Sequence, residues 1–354
     1  MTGNAIWVSG QGGYHTYRIP ALAVTTEGTV LAFCEGRKHS RSDTGDIDLL
    51  VKRSEDGGET WSEQRIVWDD GENTCGNPCP VVDEEDGTIW LLMTWNRGDD
   101  DERHIIDRES RDTRRVFLTF SKDDGISWAE PTEITRAVKK PNWTWYATGP
   151  GAGIQIKQGE YSGRLVIPCD HIEAETKHYR SHVIYSDDHG RTWRLGGRAP
   201  RQGVNECEVV ELVGGRLMLN MRNYDRSQPA RQIAFSDDGG MSWQDQRHHP
   251  QLIEPICQAS IRRYSWPEEG GRSVILFSNP ASQSERRNMT VRVSYDEGES
   301  WPIAKTLHPG PSAYSCLAVL PDGKIACLYE AGEEHPYESI LLARFTLDWL
   351  EVSS

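Results

Sequence analysis

No run of eighteen apolar residues occurs anywhere in this 354-residue chain, so no segment reads as a membrane-crossing helix. The N-terminus, MTGNAIWVSG, has neither the basic nor the apolar stretch of a secretory leader. On that ground the chain is expected to be cytoplasmic, or secreted if a leader has been removed. Helical periodicity of useful length is missing too. Cysteine is sparse: eight residues are too few for a disulfide scaffold. Cys75 and Cys79 stand at a C-x3-C spacing, but no second Cys or His pair follows, so buried free thiols are expected and no metal. Basic residues are outnumbered, 39 Lys and Arg against 54 Asp and Glu. The resulting net charge of −15 disfavours nucleic acid and anionic membranes as partners.

What the chain does have is repetition. Five copies of Ser-x-Asp-x-Gly-x-(Thr/Ser)-Trp run along it: SEDGGETW from Ser54, SKDDGISW from Ser121, SDDHGRTW from Ser186, SDDGGMSW from Ser236 and SYDEGESW from Ser294. In each, the Asp can accept hydrogen bonds from turn amides, the Gly can take positive φ, and the Trp is a large apolar plug. A second pattern occurs six times, a Gly-containing turn followed by an apolar run, as in TTEGTVLAFCEGR and LPDGKIACLYEAG. A further apolar strand follows each one, from DIDLLVKRS to SILLARF. The sixth unit ends in TLDWL, where a box has decayed. Six units of four strands use nearly the whole length, so the expected fold is all-β, one six-bladed β-propeller over residues 1–354. The N-terminal AIWVS segment is expected to complete the last blade and protect its edge.

Strand parity then says where chemistry can sit. The Gly turns join strands 1 and 2 and the boxes join strands 3 and 4, so both occupy one face. The longer connections all project from the other face, where loops carry function. To that face belong Arg18 in TYRIP, and Asp43, Asp46 and Asp48 in SRSDTGDID. Glu206 in VNECEVVEL, Arg222 in MLNMRN, the adjacent Arg286 and Arg287, Tyr314 in PSAYSCL and Glu330 in CLYE join them. Any one of these charges could simply be solvated at a strand end. Three arginines beside two acids and a tyrosine suggest more: planar donors for a carboxylate or phosphate, next to a tyrosine nucleophile with its general base. A neutral phenol is suited to a carbon that already bears a carboxylate, which would repel an ionised nucleophile. The anomeric centre of a sialic acid is such a carbon.

The residues quoted resemble the exo-α-sialidase family of retaining glycoside hydrolases over essentially the whole chain. Tyr17-Arg18-Ile19-Pro20 matches the family's N-terminal signature, and the boxes match its Asp boxes. The resemblance implies that Arg18, Arg222 and Arg286 bind the substrate carboxylate and that Glu330 orients Arg18. It likewise implies Tyr314 as nucleophile, Glu206 as its base and Asp43 as acid/base. Arg286 is preferred to Arg287 because the family's Arg-x-Asn pattern fits Arg286-Arg287-Asn288. No cofactor is implied. Sialylated oligosaccharides, glycoproteins or glycolipids are the implied partners. A trans-sialidase and a non-catalytic Asp-box binding module are the alternatives. Asp46 and Asp48, at the start of DIDLL, are expected at a sheet edge or in solvent. Trp143, Trp145 and Tyr146 are placed in the connection entering the third unit and read as either a pocket wall or a core cap, and the 98–115 stretch as a solvated loop or a rim.

Overall fold

A computed structural model describes residues 3–267 and 271–352. Antiparallel pairing sorts the strands into six units of four, linked into larger sheets by a parallel bridge between Ile47 and Thr74 and by one long strand. Their first strands are Thr16–Val24, Thr74–Val82, Trp143–Thr148 continued by Ile154–Gln155, Val204–Glu211, Ser260–Ser265, and the C-terminal half of Ile303–Val319. That last strand serves two units: its N-terminal half is the fourth strand of the fifth unit. The N-terminal strand Asn4–Val8 pairs with Ser339–Phe345 as the outer strand of the sixth unit, as the sequence predicts.

The boxes have the hydrogen bonding their sequence dictates. Asp56 accepts from Ser54 Oγ at 2.8 Å, from Thr60 N at 2.9 Å and from Thr60 Oγ1 at 2.6 Å. Asp123, Asp188, Asp238 and Asp296 repeat the arrangement. Those bonds, led by Thr60 at the first box and Ser127 at the second, push Asp56 and Asp123 down to about 2. Each box also abuts the unit before it. At Gly58, with φ of +88°, a Cβ would come within 2.7 Å of Leu342 in the sixth unit. At Gly298, with φ of +83°, it would meet Met218 of the fourth at 2.6 Å. These positions need glycine for space as well as for backbone conformation.

The apolar side chains are buried between units. Val81, Leu92 and Leu118 of the second pack on Leu165, Ile167 and Trp193 of the third. Leu22, Val30 and Leu50 of the first pack on Cys316, Leu328 and Ile340 of the sixth. Each large side chain so buried contributes roughly 1.5–3 kcal/mol. All eight cysteines are buried free thiols. The six first strands meet around a cavity of about 350 Å³ walled by Leu22, Pro80, Ala152, Val210, Arg262 and Leu317.

Three local expectations need correction. TLDWL is not a box remnant but part of a short helix, Leu347–Glu351, whose Thr346 Oγ1 accepts from Trp349 N at 3.1 Å. Asp48 is neither at an edge nor in solvent: it is fully buried, accepting from the Tyr14 hydroxyl at 2.6 Å and pairing with Lys38 at 3.1 Å. Trp143 and Tyr146 lie within a strand, not a connection, and their side chains are core.

Candidate functional site

The first strands carry a β-bulge at the same end in several units, and each bulge places a side chain. In the first unit the register shifts between Arg18 and Ala21, in the second between Gly76 and Cys79. In the fourth it shifts between Val204 and Cys207, in the sixth between Ser312 and Ser315. Pro20 and Pro78, which have no N–H for the ladder, lie inside the first two bulges. Such a defect re-aims the chain and leaves an amide unpaired. Two of those amides, Ile19 N and Tyr314 N, donate to the Glu330 carboxylate at 2.8 and 3.1 Å. Arg18 Nε donates to Glu330 Oε1 at 2.9 Å. Glu330 is completely buried and ties the first unit to the sixth.

Around the Tyr314 ring stand three guanidinium groups. Arg18 lies over it at 4.9 Å and Arg286 at 5.5 Å. Arg222 Nη1 is 3.1 Å from the hydroxyl. That hydroxyl donates to Glu206 Oε1 at 2.5 Å, while Arg222 Nη1 also donates to Glu206 Oε2 at 2.5 Å. Burial, then the Glu206 charge, raises the Tyr314 phenol well above its usual value, and Arg222, Arg286 and Arg18 pull it back. The phenol is therefore neutral at rest, with its acceptor already in place. Arg287, the rejected neighbour, is exposed and reaches only Glu285 at 3.5 Å. Arg286 instead donates to the Tyr337 hydroxyl at 2.8 Å and to Ile256 O at 3.2 Å.

Asp43 has an exposed side chain, 2.8 Å from Arg37 Nη1 and 3.5 Å from Arg18 Nη1. Partial loss of solvent raises its carboxyl, but Arg37 and then Arg18 outweigh this and hold it below the usual carboxylate range. Asp46 pairs with Lys38 at 2.8 Å, away from this group.

The sequence reading missed several partners. Arg37 is almost fully buried and bound to Glu35 at 2.7 Å. It could have been found, because it ends the second strand of its unit just as Arg222 does. Tyr337, whose ring lies 4.1 Å from the Arg18 guanidinium, belongs to no motif. Arg114 is buried, donating to the side chains of Asn77 and Asn96 and to Tyr146 O. Trp145 stacks on it at 4.0 Å, whereas Trp143 and Tyr146 are core. Burial lowers the Arg114 guanidinium to about 10. The 98–115 stretch is structured and carries the helix Glu102–Asp107. Thr44 Oγ1, next to Asp43, donates to Asp100 O at 3.0 Å, and Asn96 Nδ2 donates to the same carbonyl at 3.0 Å. Thr74 Oγ1 accepts from Gly45 N at 3.0 Å and donates to Gly45 O at 2.8 Å. The Asp43 loop is thus stapled just after Asp43, to Asp100 and to Thr74. Among the described residues, no cluster of three metal-ligating side chains occurs.

Residues 28–327 match the BNR repeat-like domain family. The chain is 37% identical to a sialidase of Micromonospora viridifaciens, an alignment covering 97% of this chain and 53% of that protein. It is 32% identical to an exo-alpha-sialidase of Aspergillus fumigatus, over 96% of this chain and 86% of the relative. The chain spans about half the length of the Micromonospora relative. A solved Hadza microbial sialidase superposes with a TM-score of 0.88 at 32% identity, covering 98% of this chain and 69% of that one. The shared repeats, the extent of these matches and the site they surround agree: the chain belongs to the sialidase family.

Proposed function

We propose that the chain is an exo-α-sialidase that removes terminal α-linked sialic acid with net retention. The observation that carries this is the convergence of Arg18, Arg222 and Arg286 on the ring of a Tyr314 already bonded to Glu206. The three guanidiniums hold the sugar carboxylate and so put the anomeric carbon over the phenol oxygen. Glu206 accepts the phenol proton as the C–O bond to Tyr314 forms. Asp43 gives its proton to the departing glycosidic oxygen as that bond breaks. In the second half, Asp43 takes a proton from water as the water oxygen attacks the same carbon. Tyr314 leaves as phenolate and recovers its proton from Glu206. Two displacements on one carbon restore its configuration.

The fold reading goes with it: a single closed six-bladed β-propeller. It is supported by six inter-unit cores, including one between the sixth and first units, and by the docking of the first box on Leu342. Sialylated oligosaccharides, glycoproteins or glycolipids are the substrates so proposed. Release of a fluorogenic aglycone from an α-sialoside between pH 4 and 8, with the first-formed sugar anomer followed by NMR, tests the activity. No release by folded protein favours a binding module. An anhydro or transferred sugar in place of free α-sialic acid favours a trans-sialidase.

A further inference from the structure

The structure assigns Glu254 a positioning role in substrate binding: its carboxylate fixes Arg222 and Arg286 relative to one another. Glu254 lies in the connection entering the fifth unit and is completely buried. It reaches each arginine through the backbone. Glu254 Oε1 accepts from Asn223 N at 2.9 Å, the amide directly after Arg222. That amide lies beyond the last pair of the second and third strands of its unit, Met221 with Gln232, so the carboxylate takes the place of a strand partner. Glu254 Oε2 accepts from Cys257 N at 3.2 Å. Arg231, also fully buried, closes the arrangement: its Nη1 donates to Glu254 Oε2 at 3.3 Å and to Cys257 O at 2.7 Å, and its Nε to Asn220 Oδ1 at 2.7 Å. The residue so enclosed is Ile256, whose carbonyl accepts from Arg286 Nη2 at 3.2 Å.

Strain shows why that enclosure is needed. Ile256 has a φ of +59°, a left-handed conformation that a β-branched residue disfavours. Its carbonyl therefore points at Arg286 only while the turn is held, and the bonds to Cys257 N and Cys257 O hold it. Arg18 has a matching support: Ile19 follows it at a φ of +61°, and Ile19 N donates to the buried Glu330. Next to each arginine a strained isoleucine is pinned by a buried glutamate. Net stability does not explain the Arg231–Glu254 pair, because desolvation offsets most of the attraction between two buried charges. What the pair supplies is direction for three backbone groups, Asn223 N, Cys257 N and Cys257 O. Two guanidiniums kept at a fixed separation can grip one planar carboxylate together, and a shift of either loosens the grip.

The inference rests on the sialidase reading, in which the triad holds the sugar carboxylate. The didehydro analogue of sialic acid and its methyl ester separate this role from general loosening, since only the first carries a carboxylate. Dissociation constants of both are measured by calorimetry on wild type, Glu254→Gln and Glu254→Asp, with folding checked by circular dichroism. The wild type is expected to bind the acid about a hundredfold more tightly than the ester, the scale of charged contacts to a buried carboxylate. Glu254→Gln should lower that ratio by about tenfold, as a small misplacement of one guanidinium does, and leave the ester affinity nearly unchanged. Glu254→Asp keeps the charge beside Arg231 but is too short to reach both amides. It should lower the ratio as well, and it covers the case in which the glutamine variant does not fold. Equal losses on acid and ester, or an unchanged ratio, overturn the role of Glu254. A wild type that binds acid and ester alike and releases no aglycone from an α-sialoside overturns the sialidase reading itself.

Discussion

The Tyr314 hydroxyl donates to Glu206 at 2.5 Å across 108 residues of chain, joining the first strands of the sixth and fourth units. Two bulges aim these side chains at one another, so the pair is set by strand register and not by a mobile loop. Glu206→Gln removes the proton acceptor but leaves the shape, and should lower kcat by about 10²–10⁴, the range of general base catalysis. Tyr314→Phe should lower it at least as far. Folding of both variants can be checked by circular dichroism before steady-state rates are compared.

In the proposed reaction Asp43 has to be protonated to assist the leaving group, yet Arg37 and Arg18 hold its carboxyl below the usual range. The protonated fraction before substrate binds therefore falls tenfold with each pH unit above that pKa. For sialosides with a poor leaving group, kcat/KM should decline steadily from about pH 4 to 7. Activated aryl sialosides should decline less. Asp43→Asn should remove most activity on the first and much less on the second. Equal losses on both would point to another acid.

Arg286 and Arg287 offer a test at adjacent positions. Arg286 faces Tyr314 and Tyr337, and Arg287 faces solvent. Losing a charged contact to a buried carboxylate costs about 2–5 kcal/mol. Arg286→Ala should thus raise KM or lower kcat/KM by factors on the order of 10²–10³. Arg287→Ala should leave both nearly unchanged.

The staple on the Asp43 loop should matter for one step only. Asn96→Ala removes the bonds to Asp100 O and to Arg114 from beneath Thr44. Its rate loss should be several-fold larger on natural sialosides than on activated ones. That dependence on leaving group marks misplacement of the acid and is not expected from general loosening. An equal loss on both substrate types would assign Asn96 to the fold.

Two histidines set an acid limit to stability. His171 and His182 are fully buried and joined Nδ1 to Nδ1 at 3.0 Å, with Trp143 stacked on His171. Burial pushes His182 down to about 3 and His171 lower still. Both folded values lie below the unfolded value of roughly 6.5, so below it the unfolded chain binds more protons. Their contribution is complete above about pH 6.5 and shrinks as pH falls, by about 1.4 kcal/mol per pH unit for each histidine. Thermal melts between pH 7 and 4.5 should show this slope, and His182→Gln should flatten it whatever it does to the melting temperature at pH 7.

The repeats were legible because a Gly turn or an Asp box is a local signal, complete within eight residues. The site residues Arg222 and Glu330 were legible by strand parity. The same rule, applied to the second strand of the first unit, reaches Arg37, which belongs to no recognised motif. Trp143 and Tyr146 were ambiguous for another reason: whether an aromatic residue faces pocket or core depends on what the neighbouring unit places against it. Asp48 looked like an edge residue because its partners, Tyr14 and Lys38, come from outside its own strand. Tyr337 was invisible because an isolated tyrosine in a connection carries no pattern at all.

The pairing of Asn4–Val8 with Ser339–Phe345 imposes a schedule on folding. Asn4–Val8 is made more than three hundred residues ahead of the strand it pairs with, so this ladder cannot form until that partner has been synthesised. Until then Asn4–Val8 stays unpaired. The sequence separation of this one ladder raises the mean contact distance of the whole chain, which slows folding. Joining Asn4–Val8 just after Phe345 would turn this long-range ladder into a local one with the same strand pairing.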